Sequence, residues 1–265
     1  MLEFTRSWLR GARGSLLWWS VGLCAYAGML WAFYPSLRGN TGINDLLKSY
    51  PQSVRDLLGG ADLSTPGGYL FAELFSFMLP LAWIVLAALW GSRAIAGDEE
   101  AGRLELPLAG PRSRGALLAG RSVGVLLGML TVGAVTGVGV WLLGLLVSSG
   151  LGLGPLLART VLLALACWVL AGLALAVGAA TGRAGAALGA SSALGLALFL
   201  MYSLGGQVAA LRDLRPLLPF WPALGGGALG TFGWPEAARG LALLGVGLAL
   251  PLLAIPLFNR RDVGK

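Results

Sequence analysis

The chain has 265 residues, 57% of them hydrophobic and only 12% charged, with a mean hydropathy of +0.78. A soluble domain carries about 25% charged residues, so this share cannot clothe a globular surface, and lipid has to replace water around most of the chain. The net charge of +7 comes from 19 Lys and Arg scattered between apolar runs, which points to control of membrane topology rather than to nucleic acid. Histidine, the commonest metal ligand and general base, is absent.

A helix needs about 20 apolar residues to cross a bilayer, and the chain offers six such runs. Ahead of the first, Leu2–Arg13 places Arg6, Arg10 and Arg13 at i, i+4, i+7, with Phe4 and Trp8 one turn apart elsewhere. That pattern predicts an interfacial amphipathic helix. The first run is Ser15–Tyr34. Ala25-Tyr26-Ala27 resembles a signal-peptide cleavage site, but the apolar run continues through Met29, Leu30, Trp31 and Phe33, which favours a retained helix. The longest polar segment follows, with a short helix expected at Gln52–Leu58. The second run is Leu74–Ser92. The third, Ser122–Ala158, is too long for one span and is expected to break near Gly150, Gly152, Gly154 and Pro155. Runs four and five, Thr160–Gly182 and Ala184–Leu211, are separated only by Thr181-Gly182-Arg183, which implies an antiparallel pair. Leu217–Pro235 holds Pro219, Pro222 and Pro235 plus five glycines, a composition that opposes a regular span and suits a re-entrant or surface-lying hairpin shielded by protein. Leu241–Asn259 is the sixth run.

The predicted fold is therefore an all-α integral membrane bundle of six helices, a single domain over residues 1–265. The spans fall near 15–34, 72–92, 117–147, 156–181, 185–206 and 238–258, with an extracellular loop over 35–70, a loop over 93–115 and a re-entrant or extracellular segment over 212–236. Cytoplasmic termini place 12 of the 19 basic residues inside, and the inverted arrangement would reverse that excess.

The span cores lack ionisable residues, which secondary transporters and membrane enzymes usually keep there. Glu73 and Arg159 lie at the outer edges of the second and fourth spans, within snorkelling reach of the interface. Glu73, with Phe75 and Trp83 on the same span, is a candidate for the substrate path or an outer gate. Trp18, Trp19, Trp31, Trp83 and Trp90 suit an amphipathic or lipophilic substrate or serve as interfacial anchors. Cys24 and Cys167 lie in apolar runs with no evident partner. Neither Lys48 nor Lys265 follows the glycines of a nucleotide-binding loop, so this chain is not expected to hydrolyse ATP, and active transport would draw on another subunit. A membrane-embedded enzyme such as a lipid-modifying transferase would require clustered Asp, His or Arg at the membrane surface. A non-catalytic anchor or regulator remains compatible with the sequence.

The loop Gly97-Asp98-Glu99-Glu100-Ala101-Gly102-Arg103-Leu104-Glu105-Leu106-Pro107-Leu108-Ala109-Gly110-Pro111-Arg112-Ser113-Arg114 is not generic. Asp98, Glu99 and Glu100 can occupy the first turn of a short helix, where the macrodipole favours negative charge. An acidic then basic element of this kind can dock a partner. The run resembles the signature of type-2 ABC exporter permeases of the drug- and antibiotic-exporting kind. There a Glu-x-Gly-Thr-Leu-Glu stretch, a leucine run and Pro-Val-Ser-Arg join the second and third spans. Arg103 stands where Thr is common, Arg112 where Val is common, and Pro107 interrupts the leucine run. The likeness extends to Ala72-Glu73-Leu74-Phe75 and to Phe258-Asn259-Arg260-Arg261-Asp262.

The resemblance implies a transporter subunit rather than an enzyme, multi-pass in the cell's inner (cytoplasmic) membrane. Two permease chains, identical or paralogous, would pair with two ABC ATPase subunits, with ATP and Mg on the partner and no cofactor on this chain. Asp98, Glu99, Glu100, Gly102, Leu104, Glu105, Leu106, Pro111, Ser113 and Arg114 would form the coupling element, flanked by Phe4, Arg6, Trp8 and Arg10 of the interfacial helix. The first, second and fifth spans would border a cavity that alternates its access, capped by the hairpin before the last span.

Overall fold

The computed structural model describes residues 1–38, 62–104, 113–225 and 233–261. Among them are six helices long and apolar enough to cross a membrane, and no strand. They are α1 (Leu2–Leu37), α2 (Pro66–Glu100), α3 (Arg114–Leu146), α4 (Leu153–Thr181), α5 (Ala184–Leu204) and α6 (Trp234–Arg260). Local chemistry sets their ends. Thr65 caps α2, its hydroxyl accepting from Gly68 N at 3.1 Å with Pro66 beside it. Ser113 caps α3 by accepting from Ala116 N at 3.2 Å. Gly182, at φ +67, ends α4 in the left-handed region that glycine enters freely, which reverses the chain directly into α5. The turn between α3 and α4 holds Ser148 and Gly150 at positive φ, where the glycine-rich break was expected. α6 is interrupted at Ala254, between Pro251 and Pro256.

At 1.5 Å per residue, the 35 residues of α2 reach about 52 Å, well past a hydrocarbon core of about 30 Å. Two stretches of α2 are wound as π-helix, Phe71–Met78 and Arg93–Gly97.

α4 is the central helix, packed against α2, α3, α5 and α6. Its apolar window is 72% buried, against 22% for those of α1, α5 and α6. Small residues set the spacing. A methyl group on Gly91 of α2 would come within 2.6 Å of the Ala171 carbonyl of α4, and Gly172 of α4 abuts the backbone of Gly247 on α6. α1 lies on α3, where Gly120, Gly124 and Gly128 form a flat stripe at four-residue spacing that admits Phe4 and Trp8. Side chains of α1 bond carbonyls along the length of α3: Thr5 Oγ1 to Gly120 at 2.8 Å and Trp31 Nε1 to Val140 at 2.9 Å.

This contact changes the reading of the N-terminal segment. Leu2–Arg13 is no separate interfacial helix but the first turns of an unbroken α1. Its apolar side chains Phe4 and Trp8 are buried against α3, while Arg6 and Arg10 stay exposed. Amphipathic spacing reports which face is covered, and here protein covers it. The helix expected at Gln52–Leu58 lies outside the described residues. Between α5 and α6 the described chain forms only short turns, including Arg215–Leu217 and Trp221–Leu224, and the latter packs on α4. Cys24 and Cys167 are both free thiols.

Candidate functional site at the charged end of α2

Gly97 has right-handed helical backbone angles, so Asp98–Glu100 continue α2 as its last turn instead of opening a helix of their own. Three carboxylates at a helix C-terminus oppose the macrodipole, and each is answered by a different element. Asp98 Oδ2 meets Arg121 Nη1 of α3 at 2.5 Å, and its Oδ1 meets Arg103 Nη2 at 2.8 Å. Glu99 Oε1 pairs with Arg261, whose Nη1 donates to the Ala179 carbonyl in the last turn of α4 at 2.8 Å. Glu100 Oε1 accepts from Ala184 N at 2.8 Å, on the first turn of α5, where the dipole favours an anion. Arg114 Nη1 of α3 donates to the Phe258 carbonyl of α6 at 3.0 Å, with its guanidinium 5.9 Å from that ring. One turn of α2 is thus bonded to α3, α5 and the Arg261 that follows α6, and through Arg261 to α4.

The chain leaves this turn through Gly102 at φ +66, with Arg103 N bonding Asp98 O at 2.8 Å and Gly102 N bonding Glu99 O at 2.9 Å. That pair of bonds is the Schellman arrangement, which requires a left-handed residue. Leu104 then tucks in at 1% exposure. Of the residues expected to form the coupling element, the structure brings together Asp98, Glu99, Glu100, Gly102, Leu104, Ser113 and Arg114. Glu105, Leu106 and Pro111 lie outside the described residues. Sequence reading missed the roles of Arg121 and Arg261. An acidic triplet and several arginines near span ends were the only signal, and they do not say who pairs with whom.

At the opposite end, Glu73 is exposed on the first π-helical stretch of α2, within electrostatic reach of Tyr26 of α1 and of Tyr69. Single π-helical stretches are frequent at functional sites. Phe75 and Trp83 are both 0% exposed inside the bundle, so in this conformation Glu73 is the one member of that trio an incoming molecule reaches. Arg159 does not snorkel. It is 7% exposed, donates to the Ala223 carbonyl at 3.0 Å and lies 5.3 Å from the Phe71 ring, pinning the Trp221–Leu224 turn to α4 and α2.

The described chain is a bundle of six apolar helices whose charges gather at helix ends. The sequence matches the family model described as "Multidrug efflux system permease Rv1217c, C-terminal domain" over residues 7–258. The chain belongs to that family, a multidrug efflux permease family in keeping with the exporter resemblance, and is a multi-pass membrane protein. A search of curated proteins finds no match.

Proposed function

We propose that the chain is the membrane-spanning subunit of an ATP-driven exporter in the inner (cytoplasmic) membrane, passing an amphipathic or lipophilic substrate outward by alternating access. A second permease chain and two ATPase subunits, carrying ATP and Mg, complete the machine. The observation that carries this reading is the last turn of α2, whose three carboxylates are bonded to α3, α5 and Arg261. A push on that turn is delivered to several spans at once, which is what a remote ATPase needs in order to reorient a bundle; such links are typically worth about 1–3 kcal/mol.

The positive-inside tendency supports a cytoplasmic position for this turn and for both chain ends. Among the described residues, ten arginines lie at that end of the bundle and five at the other. The sparsely buried outer faces of α1 and α5 are the surfaces on which the second permease chain would pack, with Glu73 at the outward mouth and the Arg215–Leu224 turns as part of a cap. The test is co-purification with the partner ATPase, followed by efflux and ATP turnover from reconstituted complexes. Glu100→Ala or Gly102→Pro should leave assembly in the membrane intact but separate ATP turnover from transport. Normal transport by both variants would refute the coupling role, and external labelling of a cysteine at position 103 would refute the orientation.

A further inference from the structure

Between the first turns of α1 and the last turns of α2, floored by α3, lies an open cleft of about 780 Å³ whose features the coupling role does not explain. Apart from Trp8, its α1 wall is made of small residues, and a side chain on Gly11 would meet nothing within 4 Å. Its deep end is apolar, closed by Trp8 and Trp90 in edge-to-face contact at 5.4 Å, with Trp90 Nε1 donating to Ser15 Oγ at 2.9 Å. Among the described residues, Arg93, Arg103 and Arg121 line the cleft together with one carboxylate, that of Asp98.

The positive charge there is incompletely answered. The Arg121 side chain is only 10% exposed, and its Nε has no hydrogen-bond partner. A buried donor left unmet costs about 1–3 kcal/mol. Arg93 makes no ion pair or hydrogen bond with any described residue and stands exposed at the rim. Arg103 is 65% exposed beyond its contact with Asp98. The depth of the cleft then selects the ligand. Ser15 and Trp90 belong to uncharged membrane runs, whereas Arg93 stands just past the second run and Arg103 follows the end of α2. The cleft therefore straddles the boundary between hydrocarbon and headgroups. A free anion would satisfy the arginines alone, whereas an anionic amphiphile would also lay apolar atoms along the accessible Gly11–Ser15 wall of α1.

We propose that this cleft binds the phosphate headgroup of an anionic membrane amphiphile, held by Arg93, Arg103 and Arg121, with its apolar part running past Trp8 and Trp90 between α1 and α2. The proposal stands whether or not the chain works with an ATPase. Its test is native mass spectrometry of the delipidated full-length protein, titrated with phosphatidylglycerol or phosphatidylcholine of the same acyl chains, and separately with inorganic phosphate. The wild-type protein should retain phosphatidylglycerol in preference to phosphatidylcholine. Arg93→Gln and Arg103→Gln should each lower that preference about fivefold, the scale of one basic side chain at an anionic membrane surface. Gly11→Phe, which fills the cleft and leaves its charges untouched, should abolish it, while Arg260→Gln, outside the cleft, should not change it. Absence of preference in the wild type, or full preference in both the Arg93 variant and the Gly11 variant, would overturn the proposal. Complete displacement of the lipid by millimolar inorganic phosphate would make this a site for free phosphate and overturn the lipid assignment.

Discussion

Replacing Asp98 by Asn keeps the shape of the side chain and removes the charge that holds two arginines of very different burial. Arg103 is 65% exposed, and a pair of that kind contributes about 0.2–1 kcal/mol because water screens it and two long side chains must be held still. Arg121 is 10% exposed and Asp98 14%, so removing the carboxylate leaves a largely desolvated guanidinium without its anion. Breaking a buried pair from one side costs about 3–5 kcal/mol, and the lower end suits a site bordered by a cleft. The expected outcome is a loss of about 3 kcal/mol for Asp98→Asn, a shift of roughly a hundredfold in the unfolding equilibrium, and under about 1 kcal/mol for Arg103→Gln. Denaturant unfolding in one detergent, followed by tryptophan fluorescence, measures both. The double variant Asp98→Asn with Arg121→Met removes the stranded charge and should recover most of the loss. Equal losses for the two single variants, or no recovery in the double variant, would refute the assignment of the stability to the Arg121 pair.

Other expectations follow from the same geometry. Glu100→Gln weakens a charge-assisted bond to the Ala184 N–H and a favourable dipole contact, costing about 0.3–1 kcal/mol, so thermal stability should change little while the ratio of efflux to ATP turnover falls. Gly128→Leu places carbon where Trp8 and Trp90 already lie within about 3.0 Å, so α1 should separate from α3, read as faster amide hydrogen exchange over Phe4–Trp8. Gly11→Leu, which meets open space, should leave that exchange unchanged. Cys167 is fully enclosed, so in a Cys24→Ser background a maleimide should label it only after unfolding; labelling of the folded protein would contradict its position in α4. Arg159→Met should loosen the Trp221–Leu224 turn by freeing the Ala223 carbonyl, seen as faster hydrogen exchange there with α4 unchanged.

Much of the architecture is written locally. Each of the six runs is uncharged over roughly the length a bilayer demands, and hydropathy sums over neighbours in the chain, so span number and approximate position need no tertiary information. The glycine break before α4 and the tight α4–α5 reversal at Gly182 were legible for the same reason, because backbone conformation is set by the residue itself. The Leu2–Arg13 segment shows where that logic stops. Its periodicity was real, but spacing cannot say whether lipid or α3 covers the apolar face, and Phe4 and Trp8 turn out to rest on a glycine stripe more than 110 residues away.

The charged end shows the same division more sharply. The sequence by itself determined that an acidic triplet and several arginines sit beside span ends, since charge is excluded from the hydrocarbon wherever the chain folds. Only the tertiary structure decided that Asp98 meets Arg121, that Glu99 meets Arg261 across 162 residues, that Glu100 reaches the start of α5, and that Arg159 is buried under Ala223 and not drawn out to water. The physical reason is that burial in lipid depends on how apolar a segment is, which the segment carries with it. An ion pair depends on which helix ends packing brings within about 3 Å, and central α4 with its small-residue contacts settles that for the whole bundle.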